Sequence, residues 1–315
     1  MIISSEKSKL LRLRQYLPSS VSQALSRLSS SLYEKISEIR LRADGITGVT
    51  LGGENLFLSN SGLSCVGNGG IILSKADLED FLYKFCKGSI YTHENSLSEF
   101  FVTNDGIRVG IGGKALRSKD GIIVGDISSL NIRIPNHVAG CSKQLMDYIY
   151  ENGFCDGKGI LIISKPGVGK TTMLRDLAIN LSSSLQNDKG FLSKRVCVID
   201  ERNEIFMEKI FSHCSIDFLS GMSKVKGMEI AMRVLSPEII ICDEIASPEE
   251  AEKITQIKNH GITFIASFHC DNYENAMKKD FIRNMFEKDV FGLVYSLENS
   301  KGNFSGEITK YRRDA

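Results

Sequence analysis

The stretch "GILIISKPGVGKTTMLRDLA", Gly159 to Ala178, constrains this chain more than any other. The apolar run GILIIS empties into a glycine-rich turn, and the turn opens directly into strong helix formers. Strand, loop and helix in that order give the pattern G-x-x-x-x-G-K-[ST] its meaning, because the loop's backbone N–H groups and the helix N-terminus together cradle a phosphate. Pro166, Gly167, Val168, Gly169, Lys170, Thr171 and Thr172 would form that cradle, and the two glycines permit close approach of backbone to anion. Lys170 is placed to reach the β- and γ-phosphates of ATP, and Thr171 to hold Mg²⁺. Ser164 stands where the pattern asks for its first glycine, at the strand's exit, where a small residue can substitute. A glycine turn in a purely structural unit is the alternative, and it leaves Gly-Lys-Thr-Thr unexplained.

Three further apolar runs end in polar residues. "VCVI" stops at Asp200-Glu201, "EIIIC" at Asp243-Glu244, and "TFIASF" at His269. In an open parallel sheet, ligands bind beyond the carboxyl ends of the strands, so these termini and the glycine loop point at one crevice. "IIICDE" reads as a Walker B element, with Asp243 on the metal side and Glu244 placed to polarise an attacking water. A carboxylate pair at a strand end also caps a following helix, and that reading stands beside it. For Asp200 and Glu201, capping or an ion pair with Arg202 competes with a catalytic role. His269 either senses a γ-phosphate or is a satisfied core histidine.

Alternation of strands and helices beyond about residue 135 implies a doubly wound, parallel-rich α/β sheet. Upstream the texture differs. Apolar residues at helical spacing (Val21, Ala24, Leu25, Leu28, Leu32) predict two short helices around Pro18, and glycine-punctuated alternating segments follow from Ser37. Asn104-Asp105-Gly106 marks a hairpin, and "SKADLEDFLYKFC" a helix with Ser74 as its N-cap. The expectation is a smaller α+β domain over 1–134 and a P-loop domain over 135–315. Phosphoryl transfer also wants a cation on the γ-phosphate, and Arg40, Arg42, Arg108, Arg117 and Arg133 of the first domain are candidates to reach a neighbouring subunit's site. Surface or intrachain pairing is the plainer role for most of them.

Lys and Arg number 39 against 38 Asp and Glu, a net charge of +1 that argues against bulk nucleic-acid binding. The eight cysteines lack C-x-x-C spacing and read as reduced thiols of a cytoplasmic protein. No segment approaches the ~18 apolar residues of a membrane span, so action at a membrane requires docking to something already there.

The order "SKPGVGKTT", "VIDERNE", "RVLSPEIIICDEIASPEEAE", "GITFIASFHCDN" resembles the Walker A, Asp, Walker B and His boxes of the type II and type IV secretion ATPases. Within that superfamily the upstream "SEIRLR", "GIRVGIGGKA" and "ISSLNIRIP" resemble the stage III sporulation protein AA family of endospore-forming bacteria. The resemblance implies a RecA-like P-loop NTPase fold, with Lys170 and Thr171 on phosphate and Mg²⁺, Glu201 in the Asp box, Glu244 as catalytic glutamate and His269 in the His box. Many secretion ATPases carry glycine before that glutamate; here it is Asp243, which weakens its metal role relative to the base role of Glu244. Also implied are a homo-oligomeric ring, a hexamer, with nucleotide between the two domains, docked on membrane proteins of the channel joining mother cell and forespore. A nucleic-acid-directed P-loop ATPase and an ATP-binding scaffold with weak hydrolysis are the alternatives. A GTPase is disfavoured, since no N-K-x-D motif follows the loop.

Overall fold

The structure is a computed structural model that describes residues 10–33, 35–87, 100–103, 106–118, 121–135, 138–154, 157–183, 193–206, 211, 214–258, 260–300 and 302–311. They form two units, one ending at Asn136 and the other beginning at His137.

In the first unit, α1 (10–14), α2 (Ser19–Ser26) and α3 (Ser30–Tyr33) precede the sheet. Pro18 sits at the N-cap position of α2 with φ of −49°, so it starts a helix where the sequence suggested only a break. Val21, Ala24 and Leu25 are buried as their spacing predicts; Leu32 is 39% exposed and lies off the stripe. Seven antiparallel strands follow: β1 (Ile36–Arg42), β2 (Gly48–Leu51), β3 (Glu54–Ser59), β4 (Gly62–Ser64), β5 (Phe100–Val102), β6 (Arg108–Ser118) and β7 (Gly121–Arg133), in the order β4-β3-β2-β1-β7-β6-β5. β5 and β6 pair antiparallel around Gly106, whose φ is +82°. Asn104 and Asp105 of the expected turn lie outside the described residues.

One face of this sheet is apolar (Ile39, Leu41, Val109, Leu130, Ile132) and packs with Leu78, Phe81 and Phe85 of α4 (Lys75–Lys87). Ser74 and Asp77 start α4 with a reciprocal cap. The Ser74 hydroxyl accepts from the Asp77 N–H at 3.3 Å, and the Asp77 carboxylate accepts from the Ser74 N–H at 2.8 Å.

The second unit holds a sheet in the order β10-β9-β11-β12-β8-β13-β14. Its strands are β8 (Gly159–Ser164), β9 (Val196–Asp200), β10 (Ile216–Ser220), β11 (Ile239–Glu244), β12 (Thr263–His269), β13 (Phe291–Ser300) and β14 (Asn303–Lys310). All neighbours pair parallel except β13 and β14, which form a hairpin. β8 is buried along its whole length, as an apolar run between two helical layers must be.

Alternate residues face opposite layers. Ile160 and Ile162 pack with Leu145 and Ile149 of α5 (Lys143–Asn152) and with Met173, Leu174 and Leu177 of α6 (Lys170–Ser182). Leu161 and Ile163 face Met228 of α7 (Lys224–Ile230), Ile254 of α8 (Pro248–Lys258) and Ile282 and Phe286 of α10 (Asp280–Glu287). The short α9 (Tyr273–Met277) adds Ala276 to that layer. Gly159 is required where β8 begins. A Cβ there would lie 2.1 Å from the Phe264 carbonyl oxygen of β12.

Candidate nucleotide site

The glycine loop joins β8 to α6, and its conformation requires its glycines. Gly167 has φ of +80° and Gly169, the N-cap of α6, +116°. Both lie in the left-handed region where a side chain costs energy. Lys170 is the first residue of α6, only 6% exposed, and its ammonium folds back into the loop. It donates to the Ser164 carbonyl (3.0 Å), the Ser164 hydroxyl (3.2 Å) and the Lys165 carbonyl (3.3 Å), and meets His269 Nδ1 at 2.7 Å. Burial pushes its pKa below the ordinary lysine value, opposed by the charges of Glu244 and Asp243. Pro166, Val168, Thr171 and Thr172 complete the loop and first turn.

Strand order decides which side chains meet there. β12 lies between β8 and β11, so His269 at the end of β12 stands between the loop and the end of β11, its position paired with Ser164. A lysine ammonium only donates, so His269 Nδ1 is the acceptor and the ring proton sits on Nε2. Nε2 is 3.5 Å from Glu244 Oε2. Lys170, His269 and Glu244 thus form one continuous array across three strands.

Glu244 reaches this array through a local irregularity. Strict alternation would send Asp243 and Glu244 to opposite faces, but the register of β11 on β12 slips from Cys242↔Ala266 to Glu244↔Ser267. This bulge turns both acids toward the face carrying Ser267 and His269. Arg202 Nη1 lies 4.0 Å from Glu244 Oε2.

Asp243 is 9% exposed, and its pKa is pushed up to about 7, first by burial and then by the nearby Glu204 and Asp200 carboxylates. A cation would relieve that accumulation of negative charge. Among the described residues no three His, Cys, Asp or Glu converge on a common metal position. The Thr171 hydroxyl and the Asp243 carboxylate are oxygen donors of the kind Mg²⁺ takes beside water and phosphate oxygens. The residues therefore fit Mg²⁺ accompanying a nucleotide.

Asp200 and Glu201 separate into two roles. The Asp200 carboxylate accepts from the backbone N–H groups of Glu204 (2.8 Å), Ile205 (2.9 Å) and Phe206 (2.9 Å), which is loop capping. Arg175 of α6 completes that support by donating to the carbonyls of Ile205 (2.7 Å) and Glu204 (2.5 Å). Glu201 pairs with Lys224 at 3.2 Å rather than with Arg202. Lys224, 6% exposed, also binds Glu250 at 2.9 Å, and Glu250 accepts from the Ala246 N–H at 2.8 Å. Burial pushes Lys224 downward, but Glu250 and Glu201 outweigh it and hold its pKa above the usual lysine range. The loops after β9 and β11 are thereby tied through one buried ammonium. Nothing in the sequence pattern announced Lys224.

The candidate trans-acting arginines lie in the first unit. Register places Glu38 opposite Arg133, Arg133 opposite Arg108, and Arg40 opposite Asn131, so Arg40, Arg42, Arg108 and Arg133 share the sheet face away from the apolar core. Arg40 and Arg133 both pair with Glu38, the latter at 3.7 Å, and Arg42 donates to the Ile46 carbonyl at 3.0 Å. The side chain of Arg117 lies outside the described residues. The described cysteines are free thiols, and burial pushes Cys197 up to about 12, consistent with packing rather than reactivity.

A further contact reaches the loop from the C-terminal hairpin, an element the sequence reading had not marked. Asn299 Nδ2 donates to the Val168 carbonyl at 3.0 Å, and the Phe304 ring lies against Gly169, where a Cβ would come within 2.7 Å of it.

Comparison with known proteins identifies the relatives of this arrangement. The family model described as "Sporulation stage III, protein AA" matches residues 7–312. Stage III sporulation protein AA of Bacillus subtilis is 31% identical over 295 residues, covering 91% of each chain. Among solved structures, the ATPase DotB of Legionella pneumophila superposes with a TM-score of 0.60 at 16% identity, over 89% of this chain and 78% of that one. The pilus retraction motor PilT, solved with bound ADP, gives 0.57 at 15% identity, over 90% and 81%. At such identities these two likenesses speak for the fold alone, the RecA-like P-loop NTPase fold.

Proposed function

The chain belongs to the sporulation stage III protein AA family, and on that premise we propose that it is an Mg²⁺-dependent ATPase of the secretion-motor type. The array of Lys170, His269 and Glu244 on one rim of the sheet carries this reading. In it, the loop N–H groups and Lys170 bind the phosphates, and Thr171 with Asp243 would hold Mg²⁺, which would supply positive charge to the phosphates when bound. Glu244 accepts a proton from the attacking water. His269, released from Lys170 once phosphate claims the ammonium, keeps its Nε2 proton directed at Glu244 and fixes that carboxylate's orientation. Glu201 acts indirectly, by holding Lys224 and so the loop that follows Glu244.

No described helix is long and apolar enough to cross a membrane. The load of such a motor is then another protein, and work passes to it through domain motion as the γ-phosphate is gained and lost. In this reading the protein is a homo-oligomeric ring, a hexamer. It docks from the cytoplasm of the mother cell onto membrane proteins of the stage III sporulation channel, with an arginine among Arg40, Arg42, Arg108 and Arg133 completing a neighbour's site. Residues 1–134 serve as the docking and coupling domain, and 135–315 as the ATPase domain.

One observation favours a second reading, an ATP-binding scaffold with weak hydrolysis: Ser164 supplies Lys170 with a hydroxyl acceptor that glycine would not. Phosphate release from ATP with Mg²⁺ and no acceptor separates the two. The motor requires turnover that EDTA abolishes and that exceeds turnover of GTP; binding without release leaves the scaffold. Native mass measurement with and without a nonhydrolysable ATP analogue tests the ring, which the motor reading expects to assemble or tighten with nucleotide.

A further inference from the structure

The β13–β14 hairpin is fastened at two points. At one end Gln144 of α5 donates to the Gly306 carbonyl (2.8 Å) and accepts from the Gly306 N–H (3.0 Å) and the Tyr295 hydroxyl (3.1 Å). At its tip Asn299 donates to the Val168 carbonyl, while its own Oδ1 accepts from the Gly302 N–H at 2.9 Å. This second bond, from a backbone N–H three residues on, fixes the amide's orientation. Phe304 is half-buried against Val168 and the core layer, with its ring over Gly169.

The position of this tip in the strand order gives it a direction. Lys170, His269 and Glu244 run from β8 toward β12 and β11, so the terminal phosphate end of a nucleotide lies on that flank of the loop. β13 flanks β8 on the opposite side. The other end of the phosphate chain, with its sugar and base, therefore extends toward the hairpin tip. What meets it there is an aromatic face and a primary amide whose Nδ2 carries a second N–H beyond the one given to Val168.

We propose that the hairpin tip is a purine-base subsite, in which Phe304 stacks on the base and Asn299 donates its remaining amide proton to a base nitrogen. This rests on the nucleotide reading of the glycine loop. The hairpin then does two things at once: it braces Val168 and Gly169 in the phosphate-binding conformation, and it selects a triphosphate that carries a base over one that does not.

The test compares ATP with inorganic tripolyphosphate, by calorimetry, on the full chain with Mg²⁺. Stacking of a base on an aromatic ring makes ATP tighter by on the order of tenfold or more. Phe304→Leu keeps the apolar packing but removes the aromatic face, and Phe304→Ala removes both. Phe304→Leu should weaken ATP by about tenfold while leaving tripolyphosphate within about twofold, whereas Phe304→Ala, which also loosens the brace, should weaken both, ATP by the larger factor. The chain has no tryptophan, so Phe304→Trp installs a single tryptophan, whose emission, excited apart from that of the nine tyrosines, ATP should quench more strongly than tripolyphosphate. Equal losses for both ligands, or equal quenching, would overturn the subsite and leave Phe304 as a brace of the loop. Wild-type protein binding both ligands equally would overturn it while sparing the phosphate cradle. Binding of neither ligand would remove the nucleotide reading, and the subsite with it.

Discussion

Asp243 gives the site a pH signature that its geometry alone would hide. An aspartate in an unfolded chain titrates near 3.8, whereas in the fold burial and the neighbouring Glu204 and Asp200 hold it at about 7. The folded protein keeps this proton over a range in which the unfolded chain has already lost it. Stability from this group is therefore fully present below about pH 4 and is lost as pH rises toward 7. The shift is about 3 units at 1.36 kcal/mol each, so the penalty at pH 8 is on the order of 4 kcal/mol. Asn is close in shape to the protonated acid and has no charge to desolvate. In EDTA and without nucleotide, Asp243→Asn should raise the melting temperature of the ATPase domain at pH 8 by about 10 °C. At pH 4 the gain should shrink to within about 2 °C. Scanning calorimetry at the two pH values reads this directly. A gain of the same size at both, or none at pH 8, would refute the reasoning that buried charge dominates here. Adding Mg²⁺ and an ATP analogue should reverse the order at pH 8, because only the carboxylate gains a cation.

Three other perturbations separate the parts of the account. Lys224→Met should destabilise the protein by about 3 kcal/mol, because Glu250 and Glu201 lose the ammonium between them; a urea midpoint unchanged from wild type would contradict this. Gly159→Ala drives a methyl group against the backbone of β12, so a loss of at least about 3 kcal/mol or failure to accumulate as soluble protein is expected, and melting within 1 to 2 °C of wild type would show that β8 can move. Ser164→Gly takes one acceptor from Lys170 and should tighten ATP about threefold, in line with the net worth of one hydrogen bond; weaker binding in calorimetry would mean that the hydroxyl supports the loop instead.

The sequence was most legible where chemistry demands a particular residue at a particular backbone position. Gly167 and Gly169 take left-handed conformations in the loop, and the apolar runs before Asp200, Asp243 and His269 all end on the rim where Lys170 sits. Long-range pairing was much less visible. Strict period-two alternation would put Asp243 and Glu244 on opposite faces, and the bulge against β12 brings them together. No local propensity encodes a bulge that depends on the neighbouring strand. The same holds for Glu201, whose partner Lys224 follows an intervening strand, and for the hairpin over the loop, whose residues "SLENSKGNFSGEITK" are mostly polar and give a weak strand signal. Capping by Asp200 was one of three open readings, beside an ion pair with Arg202 and a catalytic role, and three backbone N–H groups donate to its carboxylate. Arg40, Arg42, Arg108 and Arg133 were picked from glycine-rich alternating segments, and strand register explains their common face.

The account stands or falls on Glu244 acting as the base beside a phosphate held by Lys170. Single-turnover hydrolysis of γ-labelled ATP by Glu244→Gln, with nucleotide affinity measured on the same sample, tests it most directly. Affinity should stay within about threefold of wild type while the hydrolysis rate falls by at least about a hundredfold. Hydrolysis at the parental rate with ATP fully bound would contradict the assignment.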